Sequence, residues 1–438
     1  MSSQRPLSPF EVRHFDPEAK WGNAPKADCP LFVSSTVRGG IDIDVLRAVL
    51  AELAAGHVLL RAEVIEDADG ARHFRLREDF EPVLEVAEGG EDAYLALLST
   101  APDWSRGFIQ AKVLREGDRT QIVLILHHGM SDGRSAFALA GEMWQRYTAR
   151  LSGSPLPPSD SDAVLVDGAD NQLARTITGE QVDEFLAQLR MIATTADPAL
   201  AARTLPPDGD GSDPDPLGRI ALQRIELTAE ETTGLVSASR VHEVSVNSLL
   251  AGAAPTVVRA HIEADAAPVP MVAGHAVDVR SELVPPLTES NVLNCVGGLA
   301  TPVFAAADPD PVELAKMIEL GMRSALDAHV PALFMCAGQR RLDPEVSALF
   351  AAQPTLGFSN LGRVPAHPLP AGLESVRDEV FAMAVNMPPK MTIFTVGDRL
   401  TVQVEFDTAW NSYAQMGPIT DAMRAQVAAL CAAAVVQG

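Results

Sequence analysis

Cysteine is scarce in this chain. Four residues in 438, Cys29, Cys295, Cys336 and Cys431, stand far apart with no C-x-x-C pair. That excludes a disulfide framework and a cysteine-based zinc site, and it fits a reducing compartment in which thiols serve as packing residues. Long apolar runs are missing as well. The most apolar stretches, such as Val427–Gln437, are short and rich in alanine, well under the roughly 18 residues a membrane span requires. The opening residues MSSQRPLSPFEVRHF have neither an apolar core nor a cleavage site, so no secretory leader and a cytoplasmic location are expected. Positive charge is the third shortage: 34 Lys and Arg face 58 Asp and Glu, for a formal net charge of −24. Such a surface repels nucleic-acid phosphates and anionic lipid, so neither is an expected partner. It would also repel coenzyme A or an acidic carrier protein unless basic residues cluster locally. Gln339–Arg340–Arg341 and the Arg115/Arg119 pair could form such a cluster, although solvated surface arginines are the simpler reading.

What is present is the composition of a folded globular protein, 47% hydrophobic and 21% charged, in a chain long enough for two substantial halves. No fixed-period repeat is visible, which excludes a solenoid. The first half, residues 1–152, opens with an apolar β-branched run at Leu31–Val37. A helical stripe follows from Asp42 through Ile43, Leu46, Val49, Leu50 and Leu53. Val58–Val64 and Ala71–Leu76 read as a hairpin around Asp67-Ala-Asp-Gly, Tyr94–Ser99 as a short helix, and Phe108–Leu114 with Thr120–Leu126 as an antiparallel pair. After Gly133 the apolar period becomes helical until Leu151. Residues 153–217 read as a linker and crossing segment: Ser152–Asp162 is Ser/Pro/Asp-rich, Gly179–Thr195 is helical, and Pro206–Pro216 is a mobile loop. The second half, 218–438, restarts with strand Arg219–Leu227 and helices Ala229–Arg240 and Ser245–Ala264. Strand Val269–Val277 and helices Pro311–Ala328 and Pro344–Ala352 come next. A meander over Phe381–Asn386, Met391–Val396 and Leu400–Phe406 precedes a closing helix, Gly417–Val435. The expectation is α+β, two similarly built halves with antiparallel strands, and a site in the crevice between them.

The chemistry concentrates in Leu126-His127-His128-Gly129-Met130-Ser131-Asp132-Gly133-Arg134, where an apolar strand hands over to a helix. Chance gives His-His, three free residues and Asp-Gly in a chain of this kind on the order of one time in a thousand. Acyl transfer from a thioester needs a base near neutrality to take a proton from the attacking hydroxyl or amine and then to protonate the departing thiolate. Imidazole suits both steps. Asp132 more plausibly organises the turn or pairs with a distant arginine than acts on substrate, and the N–H of Gly133 could face a developing oxyanion. A metal site made of His127, His128 and Asp132 is disfavoured, because adjacent strand residues point to opposite faces; no metal is expected. Gly129-Met-Ser131-Asp-Gly133 also matches G-x-S-x-G, the nucleophile elbow of a serine hydrolase. In that reading Ser131 attacks and a later histidine, His329 or His367, serves it. No His-Gly-Gly oxyanion motif accompanies it.

His127-His128-x-x-x-Asp132-Gly133 resembles the signature of the thioester-dependent acyltransferase superfamily, which includes chloramphenicol acetyltransferase and the condensation domains of nonribosomal peptide synthetases. The likeness is strongest to the actinobacterial polyketide-associated acyltransferases, the family of phthiocerol dimycocerosyl transferase. Arg38–Leu46 with His57–Arg61, Glu142–Tyr147, Val244–Leu250 and Val277-Asp278-Val-Arg280 are similar to further family segments. The resemblance implies two chloramphenicol-acetyltransferase-like halves with a tunnel between them. It implies His128 as general base, His127 as structural neighbour, and an Asp132–Arg280 ion pair across the halves. Ser359 and Asn360 stand about where plant members carry D-F-G-W-G, a motif absent here, and with Ser131 they are candidate substrate contacts. No bound cofactor is implied. The donor would be acyl-CoA or a phosphopantetheinyl acyl carrier protein, the acceptor an alcohol or amine, and the usual state a monomer. A catalytically silent relative that only docks a carrier protein is a further reading.

Overall fold

The computed structural model describes residues 3–21, 24–157, 164–262 and 267–437. Residues 158–162 of the expected linker and the last two residues of the expected helix Ser245–Ala264 lie outside them.

Two large sheets organise the chain. The first has five strands in the order Glu374–Phe381, Pro30–Arg38, Arg119–His127, Ile109–Glu116, Val83–Glu88. The second has six, ordered Ile220–Glu226, Arg399–Asp407, Lys390–Val396, Leu356–Val364, Val269–Asp278, Val296–Ala305. The strand leading to the histidines is central in the first sheet and apolar on both faces. Its Ile122, Leu124 and Leu126 pack into a core with helices Ile43–Gly56 and Gly133–Ser152. The alternate residues Val123 and Ile125 point the other way, into a smaller core with Ile220, Leu222 and Phe381. The period-2 geometry of a strand thus welds the helical layer on one side and the second half on the other. The second sheet carries its own core against helices Ala229–Val241, Val246–Arg259, Pro311–Asp327 and Tyr413–Gln437.

Three expectations change. The meander is a two-stranded hairpin, Lys390–Val396 with Arg399–Asp407, and the strand before it ends at Phe381 instead of starting there. That strand crosses to the first sheet and pairs with Pro30–Arg38, because Phe381 finds Phe32 in the seam core, ring centroids 6.2 Å apart. The pairing is not purely antiparallel either. Val83–Glu88 runs parallel to Ile109–Glu116, and Leu356–Val364 runs parallel to both of its neighbours. Finally, the Pro206–Pro216 loop is strapped down. Asp208 and Gly209 both donate backbone N–H to the Trp410 carbonyl at 3.1 Å, Gly211 donates to Ala409 at 2.9 Å, and the Asp208 carboxylate accepts Ser412 N–H at 2.8 Å. Its glycines let the backbone come close enough for these bonds. A Cβ on Gly209 would collide with the Ala409 carbonyl oxygen. Gly209→Ala is therefore expected to destabilise the fold by about 1–3 kcal/mol, read as a lower urea midpoint at unchanged slope.

Candidate active site

The histidine motif is a tight turn between strand Arg119–His127 and helix Gly133–Ser152. Asp132 is the helix N-cap: its Oδ1 accepts the backbone N–H groups of Arg134 and Ser135 at 3.1 and 3.0 Å, while Ser135 Oγ accepts the N–H of Asp132. Two orphan donors of the first turn are satisfied in this way. Gly133 opens the helix against the strand Leu356–Val364; a Cβ there would stand 2.7 Å from Leu361 Cδ2, so a larger residue would push that side chain aside. No partner assigns its N–H to an oxyanion.

The second oxygen of Asp132 faces the other half. Oδ2 lies 2.7 Å from Arg280 Nη1 and accepts the Cys295 N–H at 2.9 Å, and both side chains are almost wholly buried. The remaining Arg280 donors reach the carbonyls of Leu293 at 2.7 Å and Thr288 at 3.2 Å, and Nη1 also meets Asp278 at 3.1 Å. With every charge partnered, the pair is held rigidly; with either partner removed, the other is a buried lone charge.

The two histidines diverge. His127 is fully buried, stacked on Phe15 at 4.2 Å and edge-on to Trp104. Its Nδ1 accepts the Gly129 N–H at 2.9 Å, and its Nε2 faces Asp28 Oδ1 at 3.4 Å. This ring shapes the turn. His128 is partly exposed. Its Nδ1 lies 2.8 Å from the Ser131 carbonyl, which can only accept, so Nδ1 carries the proton and Nε2 holds the lone pair. Among the described residues Nε2 has no hydrogen-bond partner. Burial lowers the His128 pKa, opposed by the Ser131 carbonyl and the Asp132 charge and reinforced by Lys390 and Lys26. Near neutral pH the ring therefore favours its uncharged form.

Several neighbours carry no sequence signal. Asn294 Nδ2 donates to the His128 carbonyl at 2.7 Å and stands 3.5 Å from Nδ1. The His14 ring lies 5.9 Å from that of His128, and Cys29 accepts the His128 N–H at 3.0 Å. Burial lowers Lys26 to about 8 and raises Cys29 to about 11, so at pH 7 one is a cation and the other a thiol. These contacts come from residues remote along the chain or at the N-terminus, where no motif marks them. Ser359 and Asn360 lie on the strand that brings Leu361 to the motif. Asn360 Oδ1 accepts Gly362 N–H at 2.8 Å beside a register shift, so this side chain serves its own strand.

The hydrolase expectation fails on geometry. Ser131 Oγ is buried and donates to the His127 carbonyl at 3.4 Å; no imidazole nitrogen bonds to it. His329 pairs with Glu282 and His367 with Asp378. The nucleophile–base hydrogen bond that such an enzyme needs is not formed. Among the described residues no group of three or more His, Cys, Asp or Glu is placed to hold a metal. Of the arginines singled out in the sequence, Arg115 donates to the Ile41 carbonyl and Arg340 pairs with Asp183.

The chain as a whole is similar to known proteins. Residues 216–405 match the family described as phthiocerol/phthiodiolone dimycocerosyl transferase C-terminus. Phthiocerol/phthiodiolone dimycocerosyl transferase of Mycobacterium leprae is 26% identical over 309 residues, covering 68% of this chain and 70% of the relative. The second half of the chain thus carries the likeness to the family model, and a curated transferase shares about a quarter of its residues over two thirds of its length. The structure of polyketide synthase associated protein 5 from Mycobacterium tuberculosis superposes with a TM-score of 0.69 at 20% identity, covering 98% of both chains. Trichothecene 15-O-acetyltransferase from Fusarium sporotrichioides gives 0.75 at 13% identity, covering 98% of this chain and 95% of the other. The fold is thus the condensation-domain, chloramphenicol-acetyltransferase-like one.

Asp132→Ala should lower stability by about 3–5 kcal/mol through the uncompensated Arg280, measured by urea denaturation; Asp132→Asn, which keeps the cap, should lose less. A second outcome concerns pH. Burial depresses the pKa of His14, His127, His128 and His275, the last to about 4. Each binds its proton more readily unfolded than folded, so the stability it contributes is complete above about 6.5 and is lost as pH falls towards the folded value. For His275 that loss is roughly 2 kcal/mol between pH 7 and 5. His275→Gln should flatten the pH dependence of the urea midpoint by this amount.

Proposed function

We propose that the chain is an acyltransferase that moves an acyl group from a thioester directly to a hydroxyl or amine, with His128 as general base. The observation that carries this reading is the orientation of one ring. Nδ1 is committed to the Ser131 carbonyl, Nε2 keeps its lone pair, and burial holds the imidazole neutral.

In the reaction the acceptor O–H or N–H donates its proton to Nε2 as the heteroatom attacks the thioester carbonyl. The tetrahedral intermediate then expels the thiolate, and the imidazolium returns the proton to sulfur. No covalent acyl-enzyme is required, because both substrates meet at the same ring. The proton gained on Nε2 is tolerated because the Ser131 carbonyl and the Asp132 charge both favour the cation. Donor and acceptor would enter through a tunnel between halves 1–152 and 218–438, the donor being coenzyme A or a carrier protein's phosphopantetheine arm. The names of the relatives support a transferase with a polyketide, lipid or similar acceptor. A monomer in the cytoplasm completes the reading; among the described residues no helix is long and apolar enough to cross a membrane.

Intact-mass screening of acyl-CoA and acyl-carrier donors against candidate alcohols and amines identifies the substrates. With them, His128→Ala is expected to cut turnover by roughly 10²–10⁴. Unchanged turnover in a folded variant rejects the assignment.

A further inference from the structure

The seam between the two sheets holds a second polar site, far from His128. A cavity of about 380 Å³ opens there, and three of its walls are one cross-strand row. Arg377, Thr36 and Gln121 are register partners on adjacent strands of the first sheet, so their side chains project from the same face. A register shift between Ser375 and Arg377 aims the arginine inward. Arg224 comes from the opposing sheet to close the space, and Arg119 stands at the mouth. Gln121 lies six residues before His127 on the same strand, roughly 20 Å away at a strand's rise per residue. The site is therefore distinct from the one described above.

The hydrogen bonds inside this seam are unevenly distributed. Its inner acids are spent. Glu91 is engaged by Arg224 at 2.8 Å and by Arg377; Glu379 is engaged by Arg224 and, at 3.0 Å, by Gln121 Nε2. Donors are left over. Among the described residues Arg224 Nη2 and Thr36 Oγ1 are both buried with no hydrogen-bond partner, and Thr36 is only 6% exposed. Leaving such groups dry is unfavourable, so the arrangement calls for an acceptor in the cavity. The helix Glu91–Leu98 starts at Gly90 on the cavity wall with no cap from that residue's side chain, which brings a helix N-terminus to the wall. The rim acid Glu116 is exposed, with its carboxylate set against Gly90.

We propose that this cavity binds a small oxyanion-bearing molecule, a carboxylate or phosphate of metabolite size, on Arg224 Nη2, Thr36 Oγ1 and Arg119. Guanidinium forks match both anions, and the volume suits a small molecule over a bare ion. Because Arg224 belongs to one sheet and Thr36 to the other, the bound anion bridges the halves and stabilises the folded chain by mass action.

Calorimetric titration of the full chain with inorganic phosphate and, separately, with malonate tests this. Saturable binding of at least one is expected, with a melting temperature that rises with its concentration. Thr36→Val and Arg119→Gln, which leave the Glu379 and Glu91 pairs intact, should each weaken it at least tenfold, and His128→Ala should leave it unchanged. Three results overturn the proposal: no saturable binding of either probe, wild-type binding in both folded seam variants, or loss in His128→Ala with Thr36→Val unaffected. The outcome does not depend on whether the chain transfers acyl groups.

Discussion

One carboxylate holds the motif in place. Asp132 receives the N–H groups of Arg134 and Ser135 from its own helix, the N–H of Cys295 and the guanidinium of Arg280, four donors from two halves of the chain. Each charge-assisted bond is worth more than a neutral one, and all of them are shielded from water. Their joint effect is geometric. The turn from residue 128 to 132 cannot shift without breaking the tie to the second half, so the Ser131 carbonyl stays where His128 needs it. The His128 ring is positioned by a residue that does not touch it.

Acid–base character in this chain follows burial more than sequence identity. His127 and His128 are neighbours with the same unperturbed chemistry. One is stacked among Phe15, Trp104 and Phe108 and serves as packing; the other keeps one nitrogen free. The same contrast separates the two polar regions of the seam. Around His128 the charges are few and leave a lone pair available. Around Arg224 carboxylates and guanidiniums are dense and leave donors available. Two sites of opposite polarity can therefore share one strand, Arg119–His127, without competing.

The motif and most helices were legible from the chain alone because their signals are local. Asp132 reads as a turn organiser, the helix after Gly133 has a 3.6-residue stripe, and Gly179–Thr195 begins after a Thr178 cap. What was not legible depends on pairing between distant residues. The crossing of Glu374–Phe381 into the first sheet rests on its pairing with Pro30–Arg38 and on the Phe381–Phe32 contact, neither of which leaves a pattern near residue 374. Asn294 reaches His128 from 166 positions away. The Pro206–Pro216 segment looked loose because it is polar, yet its glycines fit it to the Ala409–Ser412 turn. The G-x-S-x-G match misled for a related reason: the spacing is real, but the fold turns the Ser131 hydroxyl inward to a backbone carbonyl.

The proposed chemistry requires His128 to be a neutral imidazole whose proton sits on Nδ1 and whose lone pair sits on Nε2. Nitrogen-15 NMR of the histidine-labelled protein at pH 7, with the signal assigned by its loss in His128→Gln, reads this directly. The neutral Nδ1–H tautomer is expected, persisting as the pH is lowered past about 6.5. A ring that is protonated at pH 7, or one carrying its proton on Nε2, would contradict it.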